Sequence, residues 1–422
     1  MKTGEIAAYG LLGAPLAAAA LPVYLHVPKL YAEHYGLSLA LLGGLLFAAR
    51  LIDALADPLI GAFSDRARGR RLLVLAGLLP LAIGLPALVR PAAGIDPVLW
   101  LTGALLLVYA GYSLATINYA AWGAELSSTP ALGTRLVASR EGWALVGVVA
   151  ASVAPGLLAD QAPAGLWQAT LYWLPWLALA ALGTLVRVPD TRAATAQPPL
   201  RETARELAAH ARFRRLLAVF ALNGIAAAIP GTLVLFFIAD VLVEPAREGL
   251  FLALYFMAGI AALPLWTRLA DRLGRARCWA LSMLLAIAAF GGAWTLEAGD
   301  AALFMAICIG SGIALGADLA LPPALLAGLI ADRREALPAG GAFGVWTLVT
   351  KLNLALAAGL ALPALALLGY RPGVQDEAGR VALTAVYALL PLGLKAAALC
   401  LLWPAMRWLE AGDLYRSEGV KA

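Results

Sequence analysis

Gly61-Ala62-Phe63-Ser64-Asp65-Arg66-Ala67-Arg68-Gly69-Arg70-Arg71 follows the second long apolar stretch of this chain, and Thr267-Arg268-Leu269-Ala270-Asp271-Arg272-Leu273-Gly274-Arg275-Ala276-Arg277 follows the eighth. Asp65 and Asp271 stand 206 positions apart, about half of the 422 residues. Two basic turns of similar make-up, each at the same place in its half, point to an internal duplication of a helical unit. One such turn can arise by accident; a matched pair is much harder to explain that way.

The residues around the turns fix the solvent. Hydrophobic side chains make up 62% of the chain and charged ones 14%, and the mean hydropathy is +0.83. A soluble domain carries about a quarter charged residues, so this chain is too apolar for water. Ala, Leu and Gly dominate the apolar stretches without strand-like alternation, which selects helices over a membrane barrel. Polar punctuation marks twelve stretches near the roughly 20 residues a membrane helix needs: 6–28, 37–63, 72–90, 97–124, 142–159, 166–188, 215–242, 248–269, 277–296, 301–327, 340–369 and 381–408. The first has only Lys2 as a basic leader and no clear cleavage site, so it reads as a membrane helix and not a signal peptide. The expected fold is all-α, with twelve transmembrane helices in two pseudo-symmetric six-helix bundles. Residues 1–188 form the first bundle, 189–214 a cytoplasmic linker and 215–422 the second. Leu200 to Arg215 has the pattern of a short basic amphipathic helix, although a solvated linker explains it more simply.

Charge placement orients the chain. With the amino terminus in the cytoplasm, 23 of the 31 Lys and Arg fall in cytoplasmic segments. Five (Lys29, Arg90, Arg247, Arg371 and Arg380) fall outside and three within the membrane. That bias is the one expected of a multi-pass inner-membrane protein with both termini cytoplasmic; the Ala- and Arg-rich composition suggests a bacterial source. The excess charge needs no nucleic acid to explain it. Cys278, Cys308 and Cys400 have unrelated spacings and suggest neither a disulfide framework nor a metal site.

The embedded charges carry the functional signal. An ionised side chain at mid-membrane costs at least about 2.5–3.5 kcal/mol, so each needs a partner or a purpose. Arg50, Asp53 and Asp57 share one helical face, roughly a turn apart. Two acids so placed repel unless a proton, a sodium ion or a basic side chain lies between them. The bland alternative is a static Arg50–Asp53 pair with Asp57 protonated. If the second and eleventh helices face each other across a cavity, Lys351 becomes a counter-ion to both acids. Lys395 is a weaker candidate for that role, and Asp318 is a further embedded acid. Gly312 and Gly316 beside it read as a helix-packing pair.

These turns resemble the loop signature of the major facilitator superfamily, in which Asp–Arg contacts latch helices at the inner face. That resemblance implies latch or gate roles for Asp65, Arg66, Arg70, Asp271 and Arg272. The chain further resembles the glycoside–pentoside–hexuronide:cation symporters, the family of the melibiose transporter. The residues that carry this are Tyr9-Gly10, Tyr35-Gly36-Leu37-Ser38, the run from Arg50 through Asp53, Asp57 and Pro58 to Gly61, Glu125-Leu126, Thr134-Arg135-Leu136 with Arg140, Phe343-Gly344, Lys351-Leu352 and Leu368-Gly369-Tyr370. The resemblance implies that Asp53, Asp57 and Ser113 ligate a coupling cation, that Lys351 lies near them, and that Arg140 belongs to a cytoplasmic gate. The sequence departs from the family at Ala56, where an Asn is usual, which tilts the expected ion from sodium toward protons. Ala17 and Thr116 stand where sugar-binding carboxylates are usual, and the Asp-rich segment after helix ten is reduced to Gly328, Ala331 and Asp332. A related lysophosphatidylcholine transporter has the same framework, so the solute stays open between a sugar or glycoside and an amphipathic molecule.

Candidate polar contacts for the solute are Tyr24, Thr116, Asn118, Tyr119, Asn223, Trp346 and Asn353; each also reads as an interhelical bond or a packed aromatic. His26 and Glu33 read as interfacial. His26, His34 and His210 are scattered, and no P-loop, H-E-x-x-H or G-x-S-x-G occurs, so no enzyme site assembles. The expectation is a secondary active transporter performing cation-coupled symport by alternating access, with a proton-coupled exporter and a non-transporting sensor or scaffold as alternatives. It needs no cofactor beyond H+ or Na+; its partners are the solute and membrane lipids, and it is expected to be a monomer.

Overall fold

The computed structural model describes residues 1–64, 69–126, 130–159, 162–191, 200–330, 339–373 and 376–409. Among the described residues, twelve helices are long and apolar enough to cross a membrane: Thr3–Glu33, Leu39–Gly61, Arg70–Val89, Pro97–Leu126, Arg135–Leu158, Pro163–Arg187, Ala211–Asp240, Pro245–Leu273, Arg275–Thr295, Ala301–Ile330, Ala342–Leu367 and Glu377–Leu409. They are numbered here as spans one to twelve. No strand occurs among the described residues. Large apolar side chains stand on the outside of these helices, Leu59 at 73%, Leu157 at 78% and Leu367 at 88% exposure. So wide an apolar surface is stable only against lipid.

The chain forms two compact units, residues 1–196 with 246–250, and residues 197–245 with 251–422. In the first unit, glycines bring helices together. A Cβ on Gly77 would lie 2.8 Å from the Gly111 carbonyl oxygen, and one on Gly111 would lie 2.6 Å from Leu81 N. Spans three and four therefore touch backbone to backbone, the packing that small residues allow in membranes. Gly13 does the same for spans one and five, with 2.6 Å from its would-be Cβ to the Arg140 carbonyl oxygen. Span one breaks at Leu12, where the helix Thr3–Leu11 gives way to Gly13–Glu33. Pro15 is the cause, because its ring collides with the carbonyl four residues earlier. Trp173 Nε1 donates to the Pro15 carbonyl at 2.8 Å, and Thr184 Oγ1 to that of Ala8 at 2.7 Å, which ties span six to the bent helix. Also in this unit, Lys29 Nζ donates to the Glu248 carboxylate.

In the second unit a buried cluster joins Trp266, Trp279, Leu321 and Trp346. Gly312 and Gly316 do serve packing, since a Cβ on Gly316 would meet the Gly259 carbonyl oxygen at 2.6 Å. Span twelve widens into a π turn at Ala385–Leu389, just ahead of Pro391. The missing N–H and the ring bulk of that proline displace the normal bonding pattern.

Two segments differ from the sequence expectation. Span five is preceded by helix already from Pro130, because proline at a first helical position is pre-set for helical φ. The segment expected as linker is partly built in: Pro189 and Asp190 bond to spans four and three. Leu200–Ala209 is a helix whose Leu207 is buried in the core of the second unit.

Candidate cation site and polar clusters

Span two brings Arg50 and Asp53 onto one face, and span four supplies the rest of the site. Asp53 has a side chain only 1% exposed. Ser113 Oγ donates to Asp53 Oδ1 at 2.5 Å, within the short range of a hydroxyl bonded to a charged carboxylate. Arg50 Nη1 approaches Asp53 Oδ2 at 3.4 Å, a single long contact. The guanidinium lies over the Tyr109 ring, 4.3 Å from its centroid. That cation–π contact holds the charge in place without a bidentate grip on the acid. Asp57, one turn on, is half-buried. Asp53, Ser113 and Arg50 are thus brought together, and Tyr109 is an addition that no spacing rule announced. Tyr109 and Ser113 are four apart and share a helix face, the one signal available. Among the described residues, no cluster of three or more His, Cys, Asp or Glu side chains is placed to hold a metal ion.

A second cluster in this unit is built on Arg70. Its Nε and Nη2 donate to Glu125 Oε1 at 2.9 and 2.7 Å, and its Nη1 donates to Asn118 Oδ1 at 3.1 Å. Asn118 Nδ2 donates to Ser64 Oγ at 3.0 Å. Thr191 Oγ1 donates to Glu125 Oε2 at 2.5 Å. Asp190 Oδ1 accepts from the backbone N–H of Arg70 and of Arg71, each at 3.1 Å, satisfying donors that a helix start leaves open. Asn118 is therefore committed to a latch joining spans two, three and four. Asp65 and Arg66 lie outside the described residues. Arg140 is half-buried and bonds Glu141 with Nη2 at 2.7 Å.

Of the other candidates in this unit, Tyr119 is buried and bonds the Tyr9 carbonyl, while Tyr9 Oη donates to the Tyr119 carbonyl at 2.9 Å. Thr116 Oγ1 turns back on its own helix to Tyr112 O at 2.8 Å. Tyr24 is half-buried.

The second unit holds an embedded pair of its own. Asp318 Oδ1 accepts from Asn223 Nδ2 at 2.9 Å and from Trp279 Nε1 at 2.8 Å. Lys395 Nζ donates to Asp318 Oδ2 at 3.2 Å and to Asn223 Oδ1 at 2.8 Å. Four helices (spans seven, nine, ten and twelve) thus meet at one ion pair. Trp346 is stacked on Phe220 with centroids 3.7 Å apart. Asn353, buried, places its amide 3.2 Å from the Val349 and Ala221 carbonyls. Lys351 is half-buried. Asp271 and Arg272 are exposed, and neither forms an ion pair among the described residues. Instead Arg275 Nη1 reaches the Ala324 carbonyl at 3.1 Å. Tyr370 bonds the buried Asp240, which also accepts the Gly373 N–H at 3.1 Å.

Comparison with known proteins places this architecture. The fold matches a bacterial homologue of the human lysosomal transporter Spinster (TM-score 0.67, 17% identity, 98% of this chain and 97% of that one). It also matches the nucleoside transporter NupG (0.71, 13%, 96% and 99%). A bacterial homologue of the human drug peptide transporters PepT1 and PepT2 matches as well (0.72, 14%, 99% and 99%). At such identities the likeness is one of fold. No curated protein matches the sequence. The family model described as MFS/sugar transport protein matches residues 6–404. The chain belongs to that family and is a transporter of the major facilitator type, not an enzyme.

Proposed function

We propose that this transporter performs cation-coupled symport of a small organic solute by alternating access, with H+ or Na+ as the coupling ion. The observation that carries the reading is Asp53. It is an acid 1% exposed in an apolar helix, held by one hydroxyl at 2.5 Å and one guanidinium contact at 3.4 Å, with Asp57 a turn away. Asp53 and Asp57 put carboxylate oxygens a helical turn apart at membrane depth, and a cation or proton taken up there changes the charge of the pair. Ser113 is the hydroxyl ligand, Arg50 the resident counter-charge and Lys351 a second coupling residue. With Ala56 in place of an oxygen donor, a proton suits the site better than sodium. The resemblance to glycoside–pentoside–hexuronide:cation symporters supports the same assignment. We place the protein in a bacterial inner membrane with both termini cytoplasmic, on the strength of the charge bias.

The test is accumulation in proteoliposomes under an imposed proton or sodium gradient, using a panel of sugars and lysolipids. Wild-type protein accumulates its solute, whereas Asp53→Asn and Asp57→Asn insert and fold but do not. Undiminished accumulation in both variants overturns the assignment. Solute exit from right-side-out vesicles under an inward proton gradient identifies an exporter instead.

A further inference from the structure

The basic segment between the halves has no part in the coupling site, and its charges gather where it meets the end of the chain. Between Leu200 and Arg215 stand five arginines against two glutamates. The helix Leu200–Ala209 leads directly into span seven, which starts at Ala211. Its apolar residues go inward: Leu207, Phe213 and Leu216 share a buried core with Leu409 at the end of span twelve. The arginines stay along the seam of these elements. Arg212 and Arg215 are three apart and share a face of span seven. The Arg212 guanidinium lies over the Trp408 ring, 5.9 Å from its centroid. Arg215 Nε and Nη2 donate to the Leu401 carbonyl at 3.1 and 3.0 Å. Arg214 Nη1 donates to the Ala208 carbonyl at 2.7 Å.

Arg214 and Arg215 are held in this way without being neutralised. A guanidinium carries five N–H donors; Arg215 uses two on a neutral carbonyl and Arg214 one, and no acid bonds either among the described residues. Arg407, next to Trp408 in the chain, is exposed. The aromatic side chains indicate what this seam meets. Trp403 is 60% exposed and Trp408 41%, and neither indole N–H has a partner among the described residues. A tryptophan so placed keeps its ring against acyl chains and its N–H among headgroups. Arginines beside such rings suit a phospholipid of net negative charge, whose phosphate oxygens accept paired guanidinium bonds while its chains cover the rings. A zwitterionic lipid brings a cation of its own to the same arginines, and a free phosphate leaves the rings uncovered.

We propose that the seam of spans seven and twelve, with Arg212, Arg215, Arg407, Trp403 and Trp408, binds an anionic phospholipid. This goes beyond the coupling reading and does not depend on it.

The experiment measures thermal shifts of the purified full-length protein in a neutral detergent. The probes are phosphatidylglycerol, phosphatidylcholine with the same acyl chains, and inorganic phosphate. Phosphatidylglycerol is expected to raise the melting temperature with a saturable midpoint, and the other two are expected to have no effect. Arg212→Gln/Arg407→Gln should raise that midpoint at least about tenfold. Arg268→Gln/Arg272→Gln removes two exposed positive charges elsewhere in the unit and should move it less than about twofold. Arg407 bonds no described residue, so Arg407→Gln alone, with a rise of about threefold, carries the test if the double variant does not fold. A seam that only fastens helices would give variants of lower melting temperature with an unchanged phosphatidylglycerol midpoint. That result overturns the proposal. So do an equal shift from phosphatidylcholine, a shift reproduced by inorganic phosphate, equal losses in the two double variants, or no shift from phosphatidylglycerol. Asp53→Asn should leave the lipid midpoint where it is, so failure of the coupling reading is read separately, from solute accumulation.

Discussion

Removing Glu125 tests the energetics of the first unit most directly. Arg70 is 4% exposed in its side chain and gives two bonds to Glu125 Oε1 and one to Asn118. Glu125→Ala deletes the carboxylate and the two bonds it takes from the buried guanidinium. Breaking a buried pair from one side costs about 3–5 kcal/mol. Arg70→Met should cost less, about 1.5–3 kcal/mol. Glu125 keeps the Thr191 hydroxyl at 2.5 Å and some exposure, so its charge is less stranded. The double variant removes both members of the pair and should be more stable than the sum of the two losses by at least about 2 kcal/mol. Chemical unfolding of purified protein in mixed micelles, followed by circular dichroism, gives the four free energies of the cycle. Additivity to within about 0.5 kcal/mol would mean that the two groups do not act as a pair, and the latch as described would be refuted.

Three further outcomes follow from other contacts. Ser113→Ala removes the 2.5 Å donor to Asp53; the concentration of coupling ion that half-saturates uptake should rise about tenfold while maximal uptake changes little, a split readable from ion titrations of initial rates. Gly77→Ala forces a methyl group to within 2.8 Å of the Gly111 carbonyl, so spans three and four must part and stability should fall by about 1–3 kcal/mol in the same unfolding assay. Tyr370→Phe takes the hydroxyl from buried Asp240, which retains the Gly373 N–H; a loss of about 1–3 kcal/mol is expected, and an unchanged melting temperature would show that Asp240 is solvated instead.

What the sequence made legible was whatever depends on local composition. Twelve spans could be placed because apolar length and polar punctuation are properties of consecutive residues. The Arg50–Asp53 contact was legible for the same reason, as a spacing of three on a helix fixes a shared face. Partners from distant parts of the chain were not. Nothing local says that Lys395 will meet Asp318, 77 positions away, instead of serving the acids of span two. Nor does it say that Asn118 will turn to Arg70, or that Thr191, read as the start of a linker, will bond Glu125. Polar side chains in a membrane seek any partner within reach, and only packing decides which one is reachable.

The duplicated turn shows how far symmetry in sequence carries into energetics. Arg70 and Arg275 sit 205 positions apart at matching helix starts, yet their surroundings differ. The counterpart of Glu125 at that offset is Ile330, with Asp332 as the next acid along the chain. Arg275 is half-buried, and its Nη1 donates to the Ala324 carbonyl at 3.1 Å. Asp271, whose counterpart opens the first turn, is exposed and forms no ion pair among the described residues. The repeat has thus kept its helix-start arginine in both halves, buried in the first and half-buried in the second. Arg275→Met should then cost less than Arg70→Met by about 1 kcal/mol or more, because bonds of a better-solvated charge contribute less. Equal losses in the two variants would mean that the position of the arginine, and not its burial, sets the strength of the contact.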